Sequence, residues 1–202
     1  MTGANHDPET LAFYDREAAA YAGRRLPKAS ERLTDFLAAL PVGGRVLDLG
    51  CGGGQDSEVM LAHGFEVTAT DGSPGLARIA QARLGQPVRI QLFEDLDDEA
   101  AFDGIWANAS LLHVPTPGLA KILGRVHRAL RPGGTFHASY KAGESGGRDT
   151  LGRYFNFPSE AALRDAYELA GPWAGITISQ GVGHSYEQEE RTWLLVTVVR
   201  PA

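Results

Sequence analysis

Cysteine is all but missing. Cys51 stands alone among 202 residues, so no disulfide forms within the chain, and a reducing cytoplasm is the expected setting. No run of about 18 apolar residues occurs, so no membrane span is expected. The opening MTGANHDPET lacks the basic and apolar regions of a secretory signal, and none is expected. Positive charge is not in excess either. Nineteen Lys and Arg against 25 Asp and Glu leave a net charge of −6, which counts against a dedicated nucleic-acid partner, because phosphate binding needs a basic footprint. The six histidines and the cysteine fall in no metal-ligand spacing, so no metal is expected. Internal repeats and low-complexity tracts are absent. The composition that remains, 43% hydrophobic and 22% charged, suits one globular domain with a real core, as a monomer or a homodimer.

Strand and helix alternate along this chain. From Asp7 to Leu40 the pattern is helical, with Leu33, Phe36, Leu37 and Leu40 at helical spacing and Pro41 as the stop. RVLDLG reads as a strand, residues 54–63 as a helix stopped by Gly64, and FEVTATD as a second strand. Ser73-Pro74 supplies an N-cap and a first-turn proline for a helix running to Gly85. VRIQLFED and FDGIWANA read as strands, and Thr116-Pro117 repeats the cap-plus-proline start. Leu119, Ile122, Leu123, Val126 and Leu130 give the next helix one apolar stripe, RPGG ends it, and TFHASYK is a strand. AGESGGRDTLGRYFN reads as a glycine-rich loop and residues 159–170 as a helix. GITISQG and TWLLVTVVR read as the arms of an antiparallel hairpin at the sheet edge. Several strands are almost wholly apolar, which predicts an α/β fold: a doubly wound, mostly parallel seven-stranded sheet with helices on both faces. The single domain divides into N-terminal helices over 1–41, a core over 42–141, and a loop, helix and closing hairpin over 142–202.

Behind the first strand, VLDLGCGGGQD places Gly50, Gly52, Gly53 and Gly54 within five positions. Glycine reaches backbone angles closed to other residues and lets a ligand touch the main chain, but each one weakens a turn by roughly 0.5–1 kcal/mol relative to alanine. The concentration therefore points to a ligand, at the switch point where open parallel sheets bind them. The spacing departs from the dinucleotide pattern G-x-G-x-x-G, since Gln55 stands where the third glycine belongs. Asp71, 21 residues after Gly50, ends the second strand, where an acid accepts from two ribose hydroxyls; it also suits the start of the following helix. Asp95 follows the third strand, within reach of an adenine amino group or simply as a solvated acid in EDLDDEA.

VLDLGCGGG, ATDGS and RALRPGGTF, in that order and spacing, resemble the motifs of class I S-adenosylmethionine-dependent methyltransferases. The resemblance covers roughly residues 42–141. FYDREAAAYAGR, DGIWANASLLHVP and GRYF are similar to a bacterial, tellurite-resistance-like subgroup that acts on small molecules. The resemblance implies S-adenosyl-L-methionine as cofactor and a small-molecule acceptor. It implies that Gly50, Cys51, Gly52 and Gly54 line the methionine portion and sugar, with Asp48 holding the turn or the amino group. It further implies ribose binding by Asp71, with Gly72 and Ser73 at the adenine edge and Asp95 and Leu96 flanking adenine. Ala107, Asn108 and Ser110 lie under the sulfonium end, and Tyr14 and Tyr21 close a helical lid. Cys51 fills a variable motif position and reads as a small packing residue rather than a nucleophile.

His113 follows the fourth strand on the ligand side and is the candidate catalytic residue, positioning or deprotonating an acceptor; the alternative is a histidine that packs its loop. Lys141 and Tyr154 flank the glycine-rich loop and are candidates for an anionic substrate. Three functions stay open: methyl transfer to a small molecule, cofactor binding without catalysis, and nicotinamide-dependent oxidation, against which Gln55 and the terminal hairpin count. No NPPY-like motif follows the fourth strand, where the chain reads NASL.

Overall fold

Every residue from Val46 to Leu49 is buried, so the strand they form, β1 (Arg45–Leu49), needs cover on both faces. Leu47 and Leu49 pack into a core shared with α6 (Thr116–Ala129) and α7 (Glu160–Ala170). Val46 joins the opposite layer with Leu33, Phe36 and Leu37 of α3 (Glu31–Ala38), Met60 of α4 (Gln55–Ala62) and Trp106. Each such aliphatic contributes roughly 1.5–3 kcal/mol on leaving water. The computed structural model describes residues 5–23, 31–184 and 190–202.

β2 (Glu66–Asp71), β3 (Arg89–Ile90), β4 (Phe102–Ala107), β5 (Leu130–Lys141), β8 (Gly175–His184) and β9 (Glu190–Val199) complete the main sheet with β1, in the order β3-β2-β1-β4-β5-β9-β8. β1 to β5 run parallel and β9 and β8 run antiparallel, so the expected doubly wound sheet and its closing edge hairpin are both present. α5 (Pro74–Leu84) opens on the predicted Ser73 cap, with Leu76 N donating to Ser73 Oγ at 3.1 Å, and closes on Gly85 in the left-handed region. α1 (Pro8–Arg16) and α2 (Ala18–Ala22) pack against α5 through a cluster of Ala18, Ala22 and Leu76, with Tyr14 and Tyr21 beside it.

Four local expectations change. VRIQLFED leaves the ladder after Ile90, because β3 is an edge strand with only β2 to pair with, and residues 93–95 form a 3-10 turn. α6 starts from Pro115 with no side-chain cap, and Thr116 Oγ1 turns instead to the Tyr154 hydroxyl at 3.4 Å. RPGG does not separate α6 from a later strand: Leu130 already pairs with Phe102, the register shifts there, and Arg131 is held by both oxygens of Asp103 at 2.8 Å. The glycine-rich loop contains a small hairpin of β6 (Gly147–Arg148) and β7 (Tyr154–Phe155).

Candidate functional site

The sheet order turns back between β1 and β4, and the glycine turn opens at that point. Gly50, Gly52 and Gly54 take φ values of +83°, +56° and +80°. Position 50 excludes a side chain for a second reason, since a Cβ there would lie 2.5 Å from Ser110 Cβ. The turn so formed lets Gly50 N and Cys51 N both donate to Thr70 O at 2.9 Å. Gly52 N donates to Asp71 Oδ2 and Ser73 N to Asp71 Oδ1, each at 2.8 Å, so one carboxylate ties the turn to the start of α5. Burial pushes Asp71 up to about 6, against the opposing pull of those two N–H groups.

A cavity with about 700 Å³ of empty space, its open mouth included, runs across the ends of β3, β2, β1 and β4. Gln91, Leu92, Phe93, Gly72 and Leu76 wall its β3 end. Gly50, Gly52 and Asp71 line its middle, and Ala109, Ser110 and His113 its β4 end. His6, Asp7, Thr10, Leu11, Tyr14 and Tyr21 close it from the N-terminal side. Ala109 adopts φ +53°, with its N–H given to Ser139 Oγ at 2.8 Å.

Of the residues named from sequence, Tyr14, Tyr21, Gly50, Gly52, Asp71, Gly72, Ser110 and His113 line this cavity. The others stand behind it or away from it. Asp48 is buried beneath α4, where Ser57 Oγ donates to its Oδ2 at 2.5 Å; burial, then the charge of Asp56, pushes it up to about 8. Cys51 packs with Ala69, Ala77, Ala80 and Val88, the small packing residue expected. Gly54 is the N-cap of α4, and Ser73 is spent on capping α5. Ala107 is buried in the larger core, while Asn108 is held between Asp56 Oδ2 at 3.2 Å and Ser139 Oγ at 2.8 Å. Asp95 and Leu96 do not flank the cavity: Asp95 is exposed and Leu96 points into the core. The early end of β3 brings Gln91, Leu92 and Phe93 there instead. Lys141 is buried with Nζ 3.8 Å from the Phe155 ring centroid. Tyr154 sits behind His113, and its N–H donates to Thr10 Oγ1 at 2.7 Å.

Sequence reasoning passed over His6, Asp7, Thr10 and Leu11. A signal was present: Asp7, Thr10, Leu11 and Tyr14 share one helical face. It also passed over Asp15, whose Oδ1 accepts from Gly75 N at 2.6 Å and Ser73 Oγ at 3.1 Å, fastening α1 to the start of α5.

A family model described as a methyltransferase domain matches residues 20–195. A ubiquinone biosynthesis O-methyltransferase of Xanthomonas campestris pv. campestris (strain B100) is 40% identical over 115 residues, which cover 52% of this chain and 47% of that protein. The enzyme of the same name from Xylella fastidiosa (strain 9a5c) is 40% identical over 104 residues, 48% of this chain and 42% of that protein. The chain thus spans about half the length of the curated relatives it matches. Among solved structures, the Burkholderia thailandensis 1,6-didemethyltoxoflavin-N1-methyltransferase, with bound 1,6-didemethyltoxoflavin and S-adenosylhomocysteine, superposes with a TM-score of 0.73 at 26% identity. That superposition covers 100% of this chain and 92% of that one.

Proposed function

The chain belongs to the methyltransferase-domain family, and on that premise we propose that it binds S-adenosyl-L-methionine and methylates a small-molecule acceptor by in-line displacement. The observation that carries this reading is Asp71. It is half-buried and raised, yet both its oxygens are fixed by backbone N–H groups, and it faces a cavity from which the glycine turn has removed side chains. A diol is the complement of such a carboxylate, and the ribose 2′- and 3′-hydroxyls supply one.

The sheet order supports a placement for the rest of the cofactor. Adenine takes the apolar end at Leu92, Phe93, Gly72 and Leu76. Gln91 Oε1, buried there with no partner among the described residues, accepts from its amino group. The methionine portion crosses Gly50 and Gly52 toward Ser110. S-adenosyl-L-methionine supplies an electrophilic methyl group and is released as S-adenosyl-L-homocysteine. What the chain itself contributes is alignment of the reacting atoms at roughly 3–3.5 Å and exclusion of water by α1 and α2. The net charge of −6 favours a small acceptor over a nucleic acid, and among the described residues no helix is long and apolar enough to cross a membrane. We place the protein in the cytoplasm on its single cysteine.

Calorimetric titration tests the reading. S-adenosylhomocysteine is expected to bind wild type at micromolar concentration and NAD not to bind, with Asp71→Ala abolishing the first. NAD binding alone, or no binding of either, would sink it.

A further inference from the structure

His113 has its tautomer set by its surroundings. The 3-10 turn Leu111–His113 after β4 is clamped by Asn156, just beyond β7. Asn156 gives its backbone N–H to Leu112 O at 2.8 Å and its Nδ2 to Leu111 O and Val114 O at 3.0 and 3.2 Å. The imidazole packs against Phe155, ring centroids 4.5 Å apart, with Nδ1 2.6 Å from Tyr154 O. A carbonyl only accepts, so Nδ1 carries the proton, and Nε2 of the neutral ring is an acceptor. Its partner at 2.9 Å is Tyr14 Oη, which therefore donates. The direction is fixed from the backbone outward: Tyr14 commits its hydrogen to His113 and presents oxygen, not hydrogen, to a ligand. Both side chains line the cavity, at the β4 end where the transferred methyl lies in the reading above.

Resting on that reading, we propose that the acceptor is a hydroxyl, that of an alcohol, phenol or enol, which donates to Tyr14 Oη and loses its proton through Tyr14 to His113 Nε2. The acceptor oxygen's lone pair forms the bond to the methyl carbon, and the electron pair of the carbon–sulfur bond leaves with sulfur. The hydroxyl proton moves to Tyr14 Oη as Tyr14's own proton moves to Nε2. The positive charge that sulfur loses on taking that electron pair ends on the imidazole, whose Nδ1–H remains on Tyr154 O.

The groups around His113 explain why the acceptor is a hydroxyl and not an amine. Burial holds His113 down to about 3, with Arg153 and Lys141 lowering it further and Asp149 opposing them. A base this weak takes a proton only from something far more acidic. A hydroxyl oxygen becomes so as its bond to carbon forms, whereas alkylammonium groups keep their protons up to about pH 8–10. The Arg153 guanidinium, buried and 2.6 Å from Asp149, gives an N–H to Tyr14 Oη at 3.4 Å.

Two measurements on the full chain loaded with S-adenosylhomocysteine test this. Nitrogen NMR of histidine-labelled protein, assigned with His113→Gln, should show His113 neutral and protonated on Nδ1 across roughly pH 5–8. An Nε2–H tautomer, or a titration inside that range, overturns the proposal. In calorimetry, benzyl alcohol should bind at least about tenfold more tightly than benzylamine. With each protein saturated in S-adenosylhomocysteine, Tyr14→Phe should shrink that ratio to within about twofold. Benzylamine binding as well as the alcohol, neither binding, or a preference that survives Tyr14→Phe overturns it. Failure of wild type to bind S-adenosylhomocysteine is a different result: it removes the methyl-transfer reading and this proposal with it.

Discussion

Asp71 meets two opposed demands. Burial favours its neutral form and lifts it to about 6, while two backbone N–H groups at 2.8 Å hold the ionised form in place. At pH 7 the carboxylate is mostly ionised, and each oxygen keeps an acceptor position for a hydroxyl. As pH falls through about 6, a proton takes one of those positions. The dissociation constant for S-adenosylhomocysteine should therefore be flat above about pH 7 and rise by up to about tenfold per pH unit below about 6. Asp71→Asn should bind weakly with no such pH dependence over the same window. Calorimetry between roughly pH 5 and 8 reads both, and a flat wild-type profile would mean that this carboxylate does not grip the sugar. Gly50 shows the complementary constraint: its +83° backbone and the neighbouring Ser110 leave no room for a side chain.

At the scale of elements, α1 closes the cavity through contacts far along the chain. Arg148 holds Asp7 at 3.0 and 2.8 Å, Tyr154 N–H reaches Thr10 Oγ1 at 2.7 Å, His6 pairs with Glu94 at 2.7 Å, and Asp15 caps Gly75 N at 2.6 Å. Asp15→Ala leaves a buried helix-start N–H without its acceptor, so it should cost about 1 kcal/mol in urea unfolding and speed amide exchange in α1 more than in β1. Unchanged exchange in α1 would contradict the fastening role. This is also where legibility in the sequence divides. β1, β2, β4, α5 and α7 were readable because apolar runs, caps and stops act within a few residues. The glycine turn and Asp71 were readable for the same local reason. The exit of β3 was not, because an edge strand ends where its single neighbour stops pairing, and this exit brings Leu92 and Phe93, rather than Asp95 and Leu96, to the cavity wall. The fastenings of α1 were not readable either, since Asp7 and Arg148 lie 141 residues apart and no local spacing joins them.

For the molecule as a whole, buried titratable groups set stability against pH. In the folded state Asp48 is raised to about 8 and Asp71 to about 6, both above the ordinary carboxylate value. A raised carboxyl contributes stability that is complete below its unfolded value of about 3.9 and is lost as pH rises through its folded value. His113 and His137 are lowered to about 3 and 4 by burial, so they act the opposite way, costing stability as pH falls below about 6.5. Below about 6 these two pairs largely offset each other. Between about 7 and 8 Asp48 is the one of these four groups that changes most, and its deprotonation brings a charge into the layer under α4 beside Asp56. The ligand-free protein should therefore lose about 0.8 kcal/mol over that interval, roughly 2–3 °C in Tm for a chain of this size. Asp48→Asn keeps the shape and an oxygen for Ser57 Oγ while removing the titration. Its Tm should be nearly level over the same interval and should exceed that of wild type at pH 8, as scanning calorimetry would show; parallel declines in both proteins would place the pH-sensitive group elsewhere.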